Sequence, residues 1–233
     1  MGRLSWLFVL AAGCAYKAPA SGDDQPAPDT PSEPDPDGPL PDTTVTEPDA
    51  PPDAPIPDPV TTDFVASADT WIDSVSPNTS FANDSTLLTD GGPPAVTLIR
   101  FDLSGLPTTT TVMSAELHVF TTTDEGATVT VFPVLQSWSE TSATWNSRST
   151  GVLWSSPGAA PPSRGMTMIA TFTPNLENTE FASAVDAATV QGWVTTPDDN
   201  FGIAITSVNS DGPKFRTRLS TNGKPFLRVV HVP

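Results

Sequence analysis

From Ala18 to Asp63 the chain reads APASGDDQPAPDTPSEPDPDGPLPDTTVTEPDAPPDAPIPDPVTTD, with almost no large apolar side chain among the proline and acid. Such a run cannot bury enough surface to offset the entropy of ordering it, so it contributes nothing to a packed core. Proline biases it toward polyproline II and like charges hold it open. The result is a disordered Pro/Asp-rich stalk that reaches on the order of 140 Å when fully extended, at about 3.1 Å per residue. Folding is left to residues 64–233, a length that suits one domain with an adequate core.

The formal charge of −17 comes from 27 acids against 10 Lys and Arg. Twelve of those acids lie in the stalk, and residues 64–233 hold eight Lys and Arg against fifteen acids, a balance of −7. A negative domain disfavours nucleic acid as a partner.

Ahead of the stalk, Gly2 and Arg3 supply a weakly basic start, Leu4 to Leu10 an apolar centre, and Ala11, Ala12 and Gly13 a small-residue cleavage zone. These are the regions of a secretory signal peptide over residues 1–13, and the apolar run is far short of the roughly 20 residues of a spanning helix. Cys14, the only cysteine, follows Ala-Ala-Gly, and the segment resembles the lipobox of bacterial lipoproteins. The resemblance implies cleavage before Cys14, acylation of that residue, and attachment to a membrane through its acyl chains, each buried CH₂ contributing about 0.8 kcal/mol. The other reading of Cys14 is a small apolar residue of a conventional signal peptide. Ala15 stands where an Asp would resemble an inner-membrane retention signal, which points to the outer membrane or cell surface. The expected organisation is therefore a leader at 1–13, a lipidated cysteine and stalk at 14–63, and a folded domain at 64–233.

Within that domain Thr, Ser, Val and Phe are abundant, and no long stretch keeps a 3.6-residue apolar period. The pattern predicts an all-β domain with strands at 97–103, 114–120, 128–134, 168–172, 201–205, 214–219 and 226–232. Turn sequences such as DGGPP, SGLP, DEGA, PDDN and TNGKP separate them. Seven or more short strands so punctuated imply a β-sandwich or jelly roll. One short helix is expected at AVDAATVQGWV.

Taken in order, ADTWIDSVSPNTSFANDSTLLTDGG, LIRFDLSGLP, VMSAELHVF, WSETSATWN, VDAATVQGWV and FRTRLSTNGKPFLRVV resemble the DNRLRE domain, also described as carbohydrate-binding module family 96. The resemblance covers nearly all of residues 65–232. It implies a β-jelly-roll module carried on secreted or surface proteins, often beside polysaccharide-degrading domains, with some members similar to alginate-binding modules. It does not imply catalysis.

The residues agree with a non-catalytic reading. The domain has two histidines, His118 and His231, no tyrosine and no cysteine, and it contains no G-x-S-x-G, H-x-H or H-E-x-x-H motif. His118 alternates with Glu116 in SAELHVF and reads as a solvated face residue. Arg100 and Asp102 read as a structural pair, and Trp138 and Trp145 as packing residues. No cofactor is expected, although Asp69 and Asp73, on one side of ADTWID, suit either a structural calcium or turn capping. Trp154, among loop formers in GVLWSSPGAAPPSRG, suits a sugar-stacking platform. In KFRTRL, alternation places Lys214, Arg216 and Arg218 on one side, a row able to meet the carboxylates of an acidic, uronate-containing polysaccharide. The alternatives are an adhesion module recognising protein or surface polymer, and a polysaccharide-acting enzyme.

Overall fold

The structure, a computed structural model, describes residues 57–233. The expected leader, Cys14 and the stalk as far as residue 56 lie outside the described residues.

The strand that organises the domain is β1 (Val60–Asp73), which belongs to two sheets. Its first six residues pair antiparallel with β13 (Phe226–Val232), from Val60 opposite His231 to Val65 opposite Phe226. From Ala66 onward it pairs with β4 (Pro94–Phe101), ending with Asp73 opposite Ala95. The change of partner falls at a bulge between Ala66 and Ala68. One extra residue exchanges the faces of a strand whose side chains alternate. Thus Phe64 and Ala66 meet the core between the sheets, whereas Ala68 and Ile72 lie on the outer surface of the second sheet.

The first sheet runs β10 (Glu180–Val185), β5 (Thr111–Phe120), β13 and the start of β1; the second runs from the end of β1 through β4, β11 (Ile203–Ser207), β6 (Val129–Pro133) and β9 (Ala170–Phe172). A two-residue strand, β3 (Asp90–Gly91), borders β4. Short ribbons are formed by β2 (Thr86–Leu88) with β12 (Lys214–Arg216), and by β7 (Ser147–Ser149) with β8 (Val152–Leu153). Where β9 approaches β10, the Ser183 hydroxyl donates to the Thr171 carbonyl at 3.2 Å and the Asp186 N–H to the Ile169 carbonyl at 2.9 Å. The product is a nearly closed β-sandwich of the jelly-roll type, as the strand count predicts.

Ile99, Phe101, Leu117, Val119, Val129 and Ile203 fill the space between the sheets, each at most 2% exposed. A second apolar cluster covers the outer surface of the second sheet, where Trp138 and Trp154 pack on Ile72, Val96 and Leu98. Both clusters come from β4: its Ile99 and Phe101 point inward, while Val96 and Leu98 point outward. Gly202 makes the close approach of β11 possible, since its φ is +82° and a Cβ there would come 2.1 Å from the Ile99 carbonyl oxygen.

Several boundaries differ from those expected. The folded domain begins at Val60 rather than at 64, because residues 60–63 belong to the β1–β13 ladder and Asp63 pairs with Arg228. Strand β12 ends at Arg216 rather than at 219. The helix, α1 (Ala187–Thr195), starts three residues later than AVDAATVQGWV suggests, because Glu180–Val185 is strand β10. Asp186 fixes its start by accepting the Thr189 N–H at 2.9 Å.

Candidate functional site

The two outer surfaces of the sandwich are finished differently. On the second sheet, the excursion between β6 and β9 folds back as a roof. The Trp138 indole donates to the Phe201 carbonyl at 2.8 Å, and the Trp154 indole donates to the Thr144 carbonyl at 2.9 Å. Trp154 is only 4% exposed, so it is a roof-packing residue and not a stacking platform. Its Ser, Pro and Gly neighbours suggest a surface loop, but the loop closes over the sheet and takes the indole with it.

Among the described residues the first sheet carries no such cover. On β5, Ala115, Leu117 and Val119 point into the core, leaving Glu116, His118 and Phe120 on the outer side. In register beside them lie Phe226 and Arg228 of β13, then Val65 and Asp63 of β1. His118 stacks on Phe226, with centroids 4.2 Å apart, and its Nδ1 shares a hydrogen bond with Glu180. These neighbours leave it 4% exposed, so it is not the solvated residue that alternation with Glu116 suggests. Arg228 lies over Phe226, 5.4 Å from the centroid, and is held by both oxygens of Asp63 at 2.8 Å.

This surface continues past the end of β5. Thr121 bridges Phe215 of β12, both fully buried, which puts Lys214 and Arg216 on the outer side with Phe120. The Arg216 guanidinium sits 5.8 Å from the Phe120 centroid and donates to the Asn222 carbonyl at 3.3 Å and to Asn178 Oδ1 at 3.2 Å. Gly223 allows this approach: its φ is +65°, and a Cβ would come 2.7 Å from the Phe120 ring. Among the described residues, ion pairs join Arg218 to Glu140 and Arg228 to Asp63, whereas none involves Lys214, Arg216 or Lys224.

Arg218 leaves the expected row of three cations. The strand has ended, a turn closes with the Ser220 N–H on the Thr217 carbonyl, and the Arg218 guanidinium grips Glu140 with two hydrogen bonds. Its backbone N–H meets an Asp69 oxygen, and the Asp69 N–H meets Glu140 Oε1 at 3.0 Å. Burial pushes the Asp69 carboxyl up to about 6, the Arg218 N–H only partly opposing it. For Glu140, burial also acts upward, but the hydrogen bonds from Arg218 and Asp69 and the Arg218 charge outweigh it and hold the carboxyl below its usual range.

Asp69 and Asp73 do not share an ion. Four residues of strand separate them by about 13 Å, and Asp73 accepts the Val75 and Ser76 N–H groups at 3.0 and 3.1 Å, a turn-capping role. Among the described residues no group of three or more His, Cys, Asp and Glu side chains is placed to hold a metal. Arg100 and Asp102 are also engaged separately: the guanidinium lies 5.5 Å from the Trp138 centroid, and the carboxylate accepts the Ser104 N–H at 2.9 Å.

Among the described residues this sheet surface is uncovered and bears aromatic rings, with Lys214 and Arg216 beyond its end in no ion pair, which suits a polymer ligand better than a small enclosed substrate. Among curated proteins, none matches the chain. Residues 60–231, well over half of the sequence, match the family model of carbohydrate-binding module family 96. With its jelly-roll sandwich and its open outer sheet, the chain belongs to carbohydrate-binding module family 96, a family of non-catalytic modules.

Proposed function

We propose that the module binds acidic, uronate-bearing polysaccharide along Phe120, Arg216 and Lys214, at the end of the open surface of the first sheet. The observation that carries this reading is the Arg216 guanidinium, set against the Phe120 ring with no acidic partner among the described residues. Arg218 and Arg228, by contrast, are each neutralised by a carboxylate. A guanidinium free of acids offers a planar fork to a sugar carboxylate, and the ring beneath it offers an apolar face to the sugar's C–H groups. Lys214 and Lys224 add local positive charge to a domain that is negative overall.

Binding of the full chain to oligouronates is expected to exceed binding to neutral oligosaccharides of the same length, and to weaken as salt rises. Arg216→Ala should lower affinity about tenfold to a hundredfold, the range of a charge-assisted hydrogen bond, and Lys214→Ala should lower it less. Calorimetric titration at low salt checks this. Parent-like affinity in a folded Arg216→Ala chain would remove the site.

The sequence supports a surface lipoprotein as the setting, with Cys14 acylated and residues 15–59 as the spacer. Cys14→Ser should then leave the secreted protein in the soluble fraction, and the parent should carry an acyl mass by mass spectrometry. Equal membrane partitioning of both chains, with no acyl mass on the parent, refutes the anchor.

A further inference from the structure

Where the excursion between β6 and β9 returns alongside β6, with Val134 bridging Arg164, it lays a third arginine on a phenylalanine. On β6, Val129 and Val131 point into the core, which turns Phe132 outward on the side opposite Phe120. The Arg164 guanidinium lies 4.2 Å from the Phe132 centroid, nearer than in the Arg216 and Arg228 pairs. Its one hydrogen bond runs from Nη1 to Thr206 Oγ1 at 3.5 Å, and its Nε is buried without a partner. No ion pair among the described residues involves it. Burial alone lowers its pKa, with no acidic neighbour acting in the other direction. A desolvated cation in this position costs stability unless an anion reaches it.

Beside the guanidinium runs a groove of about 440 Å³ walled by Leu135, Pro161, Pro162, Gly165 and Met166. Leu135 is 53% and Met166 86% exposed, so the walls are open to a ligand from solvent. An apolar wall next to an unpaired guanidinium fits a ligand whose carboxylate is bonded directly to a carbon framework with a C–H face. A uronate ring supplies both groups within one residue, whereas a neutral sugar leaves the cation unpaired.

We propose that Arg164, Phe132 and the adjoining groove form a second uronate-binding site on the opposite face of the sandwich, so that one module holds two acidic polysaccharide chains. This rests on the acidic-polysaccharide reading above and extends it from one strand of ligand to two.

Calorimetric titration of the full chain with a short oligouronate should give two ligands per protein. Arg164→Ala should retain one, Arg216→Ala should retain the other, and the double variant none. Met166→Glu places a like charge at the groove rim on an exposed side chain, so it should also retain one ligand while melting like the parent. Mixed with long polyuronate, the parent should raise light scattering by cross-linking, and each single-site variant should not. One ligand per chain, lost in Arg216→Ala and indifferent to Arg164→Ala and Met166→Glu, would overturn the second site while leaving the first intact. No oligouronate binding at all would overturn both. Occupation of the Arg164 groove by a peptide with a free terminal carboxylate, and not by oligouronate, would also overturn the proposal.

Discussion

Among the described residues Asp69 is the one buried acid. The residue is 2% exposed, and its carboxyl, beside Arg218 and Glu140, holds its proton up to about 6, against 3.8 for an ordinary aspartate. Between those two pH values the folded chain binds more protons than the unfolded chain, so unfolding becomes easier as pH rises. The stabilisation is complete below 3.8 and is lost as pH passes through about 6. Glu140 works in the opposite sense: its depressed pKa contributes stability that disappears as acid protonates it. Asp69→Asn keeps an acceptor for the Arg218 N–H and removes the titration. Urea unfolding across pH 4–7 should show the parent losing about 1–3 kcal/mol relative to the variant as pH rises, the variant keeping only the opposite, Glu140-type dependence. An equal slope in both chains would contradict this origin. None of it is legible from ADTWID, because the groups that define the site, Glu140 and Arg218, lie 71 and 149 residues away.

Strands with clean alternation or a short apolar run were readable from sequence, whereas β1 and β10 were not. SAELHVF and FLRVVHV alternate apolar and polar residues and became β5 and β13 close to their expected bounds. The longest strand, β1, escaped for two physical reasons: the bulge at Ala66–Ala68 shifts its alternation by one, and its first residues follow directly on the acidic run. EFASAV escaped because its small Ala and Ser side chains satisfy a helix as well as a strand. Alternation also placed Lys214 and Arg216 on one face correctly, then failed at Arg218, where the chain turns. The roof was invisible because its loop-forming sequence says nothing of where the loop lands. Its burial now carries a prediction: Trp154→Ala removes an indole packed on the second sheet and strands the Thr144 carbonyl, and should cost about 3–5 kcal/mol of stability by denaturant unfolding. Oligouronate affinity of the folded fraction should stay at the parent level. A variant as stable as the parent, with weakened sugar binding, would return Trp154 to the role of stacking platform.

For the whole molecule, the position of the first strand decides where the domain can be cut away. Composition makes residues 18–59 the preferred substrate for proteases, while Val60–Val65 is protected by its ladder with β13. Limited proteolysis followed by mass spectrometry should therefore leave a stable fragment that begins at or before Val60. Accumulation of a fragment lacking residues 60–65 would mean that this half of β1 contributes little to the fold. The same strand has a mechanical consequence. The preceding chain joins the sheet at Val60, beside His231 and Val112, whereas Phe120 lies at the other end of β5, eight residues or about 27 Å along it. If the chain is anchored ahead of Val60 and holds a polymer at Arg216, as proposed, tension between the two points would run lengthwise through the sheet. The hydrogen bonds between β1 and β13 lie across that direction, so they are loaded together in shear instead of being peeled apart one by one, and a module pulled from its two ends in this way resists rupture along its strongest axis.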